Sequence, residues 1–135
     1  MKSRKVVLDT NLWISFLITK DFSFLDKYIE NRKVKLVFSE ELIQEFLAVS
    51  SRPKFKKYFT DKDVERLFLI FDKFGVLAKV TSELELCRDH KDNFLLNLAT
   101  DSKADYLVTG DKDLLEIKNL NKTKILTIKE LIEEL

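Results

Sequence analysis

The chain has 135 residues, with 24 Lys plus Arg against 23 Asp plus Glu, and it holds one His, one Cys, two Gly and one Pro. This length suits one domain over residues 1–135, and a hydrophobic content of 45% with eleven Phe is typical of a globular protein rather than a disordered one. The Cys and His counts exclude an internal disulfide and the usual structural zinc site, and the two widely separated glycines exclude a phosphate-binding glycine loop.

The catalytic classes open to the chain are limited by its single histidine. His90 alone disfavours a Ser or Cys triad, which needs a histidine base held by a third group. Any enzymatic chemistry should therefore depend on Asp and Glu. No apolar run approaches the ~20 residues that span a bilayer, and the run Val6–Leu8 is too short for a signal peptide. We expect a cytoplasmic protein without a membrane partner.

Apolar spacing in the first half of the chain predicts alternating strands and helices. Ser39 is predicted to cap a helix whose first turn is acidic, and Pro53 to follow its end. Trp13, in a helical apolar stretch, is predicted to lie in the core. The predicted elements are a strand at 5–8, helices at 12–18 and 22–32, a strand at 35–38 and a helix from 40 to about 51.

The second half continues the alternation, with clearer helix boundaries. Thr60 with Asp63 and Thr127 with Glu130 have the spacing of capping boxes, and Gly75 is predicted at the C′ position of a helix. The predicted elements are a helix from 61 to 74, strands at 76–80, 106–108 and 125–127, a helix at 92–102 and a terminal helix. This alternation predicts a three-layer α/β/α sandwich with a central, mainly parallel sheet.

Two carboxylates come shortly after predicted strands. Asp9 follows V-V-L, and Asp111 follows Y-L-V-T-G. Ligands of open parallel sheets bind outside the carboxyl ends of the strands, so both acids are predicted at the ligand-binding edge of the sheet. Each is equally well explained as a helix N-cap. Glu45 is predicted to border the apolar stripe of its helix. Glu40 lies equally far from the centre of that stripe on the opposite side, so spacing alone does not select Glu45. Asp92 is predicted to begin a helix and, like Glu45, to lie at the border of the core.

Five segments, in order along the chain, resemble those of PIN-domain nucleases, a family that includes toxin components of toxin–antitoxin systems. Each segment alone is weak, whereas the ordered set is specific and runs from the first predicted strand to the fourth. The segments are V-V-L-D-T-N at Val6–Asn11, S-E-E-L-I-Q-E at Ser39–Glu45, S-R-P-K-F at Ser51–Phe55, C-R-D-H-K-D-N-F-L at Cys87–Leu95 and A-D-Y-L-V-T-G-D-K-D-L-L at Ala104–Leu115.

The resemblance implies a PIN-like fold and metal-dependent hydrolysis of RNA phosphodiester bonds. It also implies one or two Mg²⁺ or Mn²⁺ ions, which prefer hard oxygen ligands, and polar support from Asn11 and Thr109. The implied ligands are Asp9, Glu45, Asp92 and Asp111, with Asp113 as a candidate fifth. The family often has Pro and Asp where this chain has His90 and Lys91, so a positive charge beside Asp92 could alter metal affinity.

A basic segment follows the helix that carries Glu45. Its composition suits phosphate binding and base stacking, and it is equally consistent with a solvated loop whose aromatic rings pack into the core. The cations are Arg52, Lys54, Lys56 and Lys57, interleaved with Phe55, Tyr58 and Phe59.

Several functions stay open at this point. The resemblance favours a toxin with a protein antitoxin, an RNA substrate and a homodimeric state. The alternatives are a housekeeping RNA-processing nuclease and a PIN-like protein that binds RNA or a partner without cutting. A phosphoaspartyl hydrolase is disfavoured because that chemistry typically needs a second acid two residues after Asp9, where this chain has Asn11. A phospho-receiver module would draw its acids from different strands.

Overall fold

The computed structural model describes residues 3–29, 31–83 and 92–135. In these ranges the strands are β1 (Arg4–Leu8), β2 (Val34–Phe38), β3 (Gly75–Leu77), β4 (Tyr106–Val108), β5 (Asn119–Leu120) and β6 (Thr123–Leu126). The helices are α1 (Thr10–Thr19), α2 (Ser23–Ile29), α3 (Glu40–Ser50), α4 (Asp61–Phe74), α5 (Asn93–Ser102), α6 (Lys112–Leu115) and α7 (Ile128–Glu134), with a 3₁₀ turn at Pro53–Phe55.

The described strands form one sheet in the order β3-β2-β1-β4-β6-β5. All neighbouring pairs are parallel except β5 with β6. Val6, Val7 and Leu8 of the central strand β1 are at most 1% exposed. Successive residues of a strand face opposite sides of the sheet, so helices cover both faces. The predicted α/β sandwich with a mainly parallel sheet is therefore confirmed.

The core beside β1 and β2 is rich in aromatic rings. Trp13 is 1% exposed, as predicted, and its ring centroid lies 4.6 Å from that of Phe71 and 5.7 Å from that of Phe38. Phe46 packs against Phe71 at 6.0 Å. These contacts join α1, α3 and α4 to one side of the sheet and set the position of the helix that carries Glu45.

The predicted helix caps are present. Ser39 Oγ accepts the backbone N–H of Leu42 at 3.1 Å and is fully buried. Both capping boxes form, at Thr60 with Asp63 and at Thr127 with Glu130. A local side-chain pattern was sufficient here because an N-cap hydrogen bond involves residues only two or three positions apart.

The prediction that Gly75 is a C′ residue, a position that is usually left-handed, is wrong. Its φ is −91°, an extended conformation, and it begins β3 directly after α4. A Cβ at this position would lie 2.5 Å from the carbonyl oxygen of Phe71 and within 3.0 Å of the Phe38 ring. The site requires glycine because the backbone and that ring approach closely, rather than because of its φ angle.

Several strand boundaries also differ from the predictions. β3 ends at Leu77 instead of Val80, because Leu77 pairs with Phe38, the last residue of β2. β6 was predicted at 125–127 and lies at Thr123–Leu126, whereas its hairpin partner β5 was not predicted, because two residues are too few for a periodic pattern. The predictions for His90 and Lys91, and positions 87–89 of the matched segment, lie outside the described residues. None of the helices in the described part of the chain is long and apolar enough to cross a membrane.

Candidate active site

The candidate site lies at the carboxyl ends of β1 and β4, which are adjacent and parallel. Leu8 pairs with Val108, and the N–H of Asp9 donates to the Val108 carbonyl oxygen at 3.0 Å. Thr109 continues β4 with its own N–H bonded to the Leu126 carbonyl oxygen at 3.0 Å. The backbone therefore brings Asp9 and Thr109 to the same edge of the sheet, as expected for residues that follow parallel strands.

The Thr109 hydroxyl connects the Asp9 carboxylate to the backbone of Asp111. It donates to Oδ2 of Asp9 at 2.7 Å and accepts the backbone N–H of Asp111 at 3.0 Å. Asp9 is 5% exposed and Thr109 is 1% exposed, so the first of these bonds is shielded from water. Of the two polar positions proposed as supporting residues, Thr109 makes direct side-chain contact with a candidate ligand.

Asp9 and Asp111 also cap helices, so the alternative prediction that each is a helix N-cap is confirmed. Oδ1 of Asp9 accepts the N–H of Asn11 at 3.2 Å, and Oδ1 of Asp111 accepts the N–H of Asp113 at 2.9 Å. The capping bond uses one oxygen of each carboxylate. Oδ2 of Asp9 accepts the Thr109 hydroxyl but keeps a further lone pair, and Oδ2 of Asp111 makes no capping bond, so capping and ligation are compatible.

Burial raises the pKa of Asp9, and the negative charge of Asp111 raises it further. The hydrogen bonds from Thr109 and from the Asn11 backbone oppose this shift, but burial outweighs them. The environment of Asp9 thus disfavours its charged form when no cation is near.

Glu45 and Asp92 lie on neighbouring helices. α3 contacts both α1, which Asp9 caps, and α5, which Asp92 precedes. Glu45 is exposed rather than bordering the core as predicted, whereas Asp92 is half-buried. Within residues 3–29, 31–83 and 92–135, no three Asp, Glu, His or Cys side chains are grouped so as to hold a metal ion. The four-ligand set stays a prediction.

Two buried polar residues near the site were missed. Thr10 is 3% exposed, and its hydroxyl has no hydrogen-bond partner among the described residues; Asn93, next to Asp92, is 7% exposed. The available signal was the presence of polar residues directly after Asp9 and Asp92 in the sequence. Asn11, by contrast, is exposed and supports Asp9 through its backbone N–H, which any residue except proline supplies.

The aromatic rings of the basic segment divide between core and surface. Phe59 is buried and Phe55 packs on it at 5.9 Å, whereas Tyr58 is 44% exposed. Lys57 Nζ lies 5.1 Å from the Tyr58 ring centroid. Of the three rings, Tyr58 is the one open to a nucleic-acid base. Lys56 lines a cavity that the acidic residues Asp61 and Glu65 also line.

A family model described as PIN domain matches residues 5–113, which include each of the candidate ligands from Asp9 to Asp113. The chain belongs to the PIN-domain family. PIN domains are generally nucleases, so the Asp9–Thr109–Asp111 arrangement lies in a family whose chemistry is cleavage of nucleic acid. An uncharacterised protein of Methanocaldococcus jannaschii is 33% identical to this PIN-domain chain over 142 residues, covering 96% of the chain and 90% of the relative. No solved structure gives a significant match.

Proposed function

We propose that this PIN-domain protein is a metal-dependent endoribonuclease that hydrolyses RNA phosphodiester bonds. The observation that carries the proposal is the position of two carboxylates, Asp9 and Asp111, at one sheet edge, where the Thr109 hydroxyl donates to the Asp9 carboxylate and accepts the backbone N–H of Asp111. In the proposal Asp9, Glu45, Asp92 and Asp111 hold one or two Mg²⁺ or Mn²⁺ ions, and Asp113 is an additional candidate ligand.

The chemistry of the donors fits a hard divalent cation. Asp9 and Asp111 supply carboxylate oxygens at a site where burial disfavours an uncompensated negative charge, and Mg²⁺ is commonly bound by one or two carboxylates plus water and substrate phosphate. Glu45 and Asp92 would complete the set from helices α3 and α5, which contact each other. When bound, such an ion stabilises charge on the phosphate and lowers the pKa of water.

The residues of this chain have separate tasks in the proposed reaction. Thr109 orients Asp9 by donating to Oδ2, and the turn 109–111 presents Asp111 beside it. Gly110 leaves open space at this edge, because a Cβ there would contact nothing within 4 Å. Two carboxylates without a cation would repel an RNA phosphate, so substrate binding at this edge requires compensation of their charge.

RNA would also contact the basic segment, where Arg52, Lys54, Lys56 and Lys57 offer positive charge and Tyr58 offers an exposed ring. Phosphate contacts of this kind are salt-dependent because they release counterions. Replacing Lys54, Lys56 and Lys57 should reduce the salt dependence of RNA binding. If RNA affinity and its dependence on salt concentration did not change, the segment would be a solvated loop that does not contact RNA.

The cellular role that we propose is a cytoplasmic toxin, acting as a homodimer and inhibited by a protein antitoxin. Its support is the resemblance of the five sequence segments to toxin components. A small adjacent gene for a basic DNA-binding protein, whose product copurifies with this chain and suppresses its ribonuclease activity, would support the role. Unaltered growth on overexpression of an active enzyme would favour housekeeping RNA processing.

A second candidate is RNA or partner binding without cleavage. It is favoured by the lack, in the ranges 3–29, 31–83 and 92–135, of three acidic, His or Cys side chains grouped for a metal. This candidate predicts RNA affinity that is equal in EDTA and in Mn²⁺, with no shortening of the RNA.

A single assay separates the candidates. Structured and unstructured RNA are incubated with wild type, Asp9→Asn, Asp92→Asn and the exposed-carboxylate control Asp26→Asn, in Mn²⁺ or in EDTA. We expect cleavage by wild type and by the control in Mn²⁺ only, and loss of cleavage in the other two variants with the fold retained. Cleavage at the wild-type rate by Asp9→Asn would remove this residue from the mechanism.

A further inference from the structure

A basic pocket lies at the end of the sheet opposite to Asp9 and Asp111. Its volume is about 320 Å³, and its lining combines Ser3, the α2–β2 turn, the start of β2 and the end of α4. The lining residues are Ser3, Ile29, Arg32, Val34, Lys35, Lys73 and Phe74. β1 runs between the two ends of the sheet, and its five residues alone separate them by roughly 13 Å at ~3.3 Å per residue.

The charge of this basic pocket is of one sign. Arg32, Lys35 and Lys73 line it together, and none of its described lining residues is acidic. None of the three forms an ion pair with a residue in the described part of the chain. Two other cavities in the described ranges differ, because Asp72 lines one and Asp61 with Glu65 line the other. Three exposed cations around one concavity attract anions and leave their donors available.

The turn that carries Arg32 is held by hydrogen bonds. The Arg32 N–H donates to the Ile29 carbonyl oxygen at 3.0 Å, and the Ser3 hydroxyl donates to the Arg32 carbonyl oxygen. The Arg4 N–H adds a bond to the Lys33 carbonyl oxygen at 3.0 Å. The backbone beneath the guanidinium is thus fixed before any ligand binds, which lowers the entropic cost of binding.

The floor of the basic pocket is apolar. Ile29 and Val34 are 2% and 3% exposed, and the half-buried Phe74 ring lies beside Lys73, whose Nζ is 5.3 Å from the ring centroid. Cationic groups above an apolar and aromatic floor suit a ligand with a phosphate at one end and a planar or apolar group at the other. The volume is at the lower end of the ~300–1,000 Å³ range of small-molecule sites.

We propose that the basic pocket is a second ligand site, separate from the acidic edge, which binds a phosphate group carried by a nucleoside. In this site Arg32 and Lys73 bind the phosphate oxygens, Lys35 adds positive charge, and Phe74 packs against the base. The same chemistry is offered by a free nucleoside monophosphate and by a terminal nucleotide of an RNA chain. Both sources are included in the test.

The test measures binding by calorimetry to the full chain at constant ionic strength. The ligands are inorganic phosphate, adenosine 5′-monophosphate, adenosine and a short single-stranded oligonucleotide with a 5′-phosphate. The variants are Arg32→Gln/Lys73→Gln and the matched control Lys62→Gln/Lys129→Gln, which removes the same charge from exposed positions elsewhere. Melting curves establish that each variant is folded.

We expect the monophosphate to bind more tightly than phosphate or adenosine, and the pocket variant to lose at least tenfold in affinity while the control binds like wild type. Phe74→Leu should abolish the preference for the nucleotide over inorganic phosphate. Tighter binding of the oligonucleotide than of the monophosphate, with the difference lost in Arg32→Gln/Lys73→Gln, assigns the site to an RNA end, and tighter binding of the monophosphate assigns it to a free nucleotide. No binding of any phosphate ligand, or equal losses in pocket and control variants, would overturn the proposal.

The acidic edge provides an independent check. Asp9→Asn should bind the nucleotide like wild type, because Asp9 lies at the other end of β1. Failure of the nuclease proposal would leave this binding intact. Conversely, loss of nucleotide binding in Asp9→Asn would show that the ligand occupies the acidic edge instead of the basic pocket.

Discussion

The Thr109 hydroxyl donates a 2.7 Å hydrogen bond to Oδ2 of Asp9, which lies 100 residues earlier in the chain. Both side chains are buried, and the same hydroxyl accepts the N–H of Asp111. One side chain thus fixes the direction of a candidate ligand and the turn that carries a second one. This hydrogen bond lowers the pKa of Asp9, and we expect it to affect the stability and the proposed activity of the site.

Replacement of Thr109 by Val should destabilise the protein and disturb Asp9. The variant keeps the shape of the side chain but leaves a buried carboxylate oxygen without its donor, which costs about 1–3 kcal/mol. The pKa of Asp9 should rise further, because the Thr109 hydrogen bond lowers it. Denaturant unfolding and an NMR titration of the Asp9 carboxyl measure the two effects.

Thr109→Ser is the matched control, since it keeps the hydroxyl and loses only a methyl group. It should retain the Asp9 pKa and most of any ribonuclease activity. If Val and Ser variants had the same Asp9 titration curve as wild type, the hydrogen bond would have no influence on the carboxylate.

Asp9→Asn should stabilise the protein at neutral pH when EDTA is present. Burial raises the pKa of Asp9 above its unfolded value of about 3.9, so the favourable contribution of the neutral form is present below that value and is lost as the pH rises through the folded pKa. Asparagine cannot ionise and still caps a helix. Asp9→Asn should therefore have a higher unfolding free energy than wild type above the folded pKa of Asp9, and this difference should shrink as the pH falls toward the unfolded pKa.

Unfolding free energies of wild type and Asp9→Asn, measured between pH 3 and pH 8, test the direction of this pH dependence. Asp26→Asn is an exposed control that is expected to follow wild type. A wild type that is more stable than Asp9→Asn at neutral pH in EDTA would contradict the inferred cost of ionising Asp9.

Divalent metal should stabilise the wild type. A ligand at a hundred times its dissociation constant adds about 2.7 kcal/mol to the unfolding free energy if it binds only the folded state. Wild type and the control Asp26→Asn should each melt at a higher temperature in millimolar Mn²⁺ than in EDTA. For Asp9→Asn and Asp111→Asn this increase should be small. Identical wild-type curves in both conditions would count against the metal site.

Replacement by alanine should destabilise the protein at Gly75 and have little effect at Gly110. Gly75→Ala places a Cβ 2.5 Å from a backbone oxygen and against the Phe38 ring, and such overpacking typically costs about 1–3 kcal/mol. Gly110→Ala meets open space at an exposed position, so its unfolding free energy should be close to that of wild type. Denaturation curves of the pair compare a crowded glycine with an open one in the same chain.

The ribonuclease activity of Gly110→Ala tests whether substrate approaches the backbone at Gly110. A stable Gly110→Ala variant that loses ribonuclease activity would indicate that substrate approaches the backbone at this edge. Equal stability losses in both alanine variants would contradict the packing argument.

The elements that could be predicted from sequence are those fixed by local patterns. Ser39, Thr60 and Thr127 cap helices through bonds to residues three positions away, and 106–108 is the observed extent of β4. The end of β3 could not be predicted, because its partner strand β2 determines where the pairing stops. Gly75 was misinterpreted for a similar reason, since the crowding comes from Phe38, far away in sequence.

The candidate site shows the same division. Asp9 and Asp111 could be selected because each follows a strand, and parallel strands end at a common edge. The role of Thr109 as a donor to Asp9 depends on the register between β1 and β4, which the sequence does not reveal. The buried hydroxyl of Thr10 was overlooked because a threonine after an N-cap is ordinary in any helix.

The order of the strands has a consequence for the synthesis of the protein. β1 is made first, yet its neighbour β4 and the turn with Thr109 and Asp111 come from residues 106–111. A nascent chain that has left the ribosome only as far as α4 contains Asp9 without either partner. The carboxylate pair can therefore form only after residue 111 has been made, and a ribonuclease built in this way would lack the pair until that point.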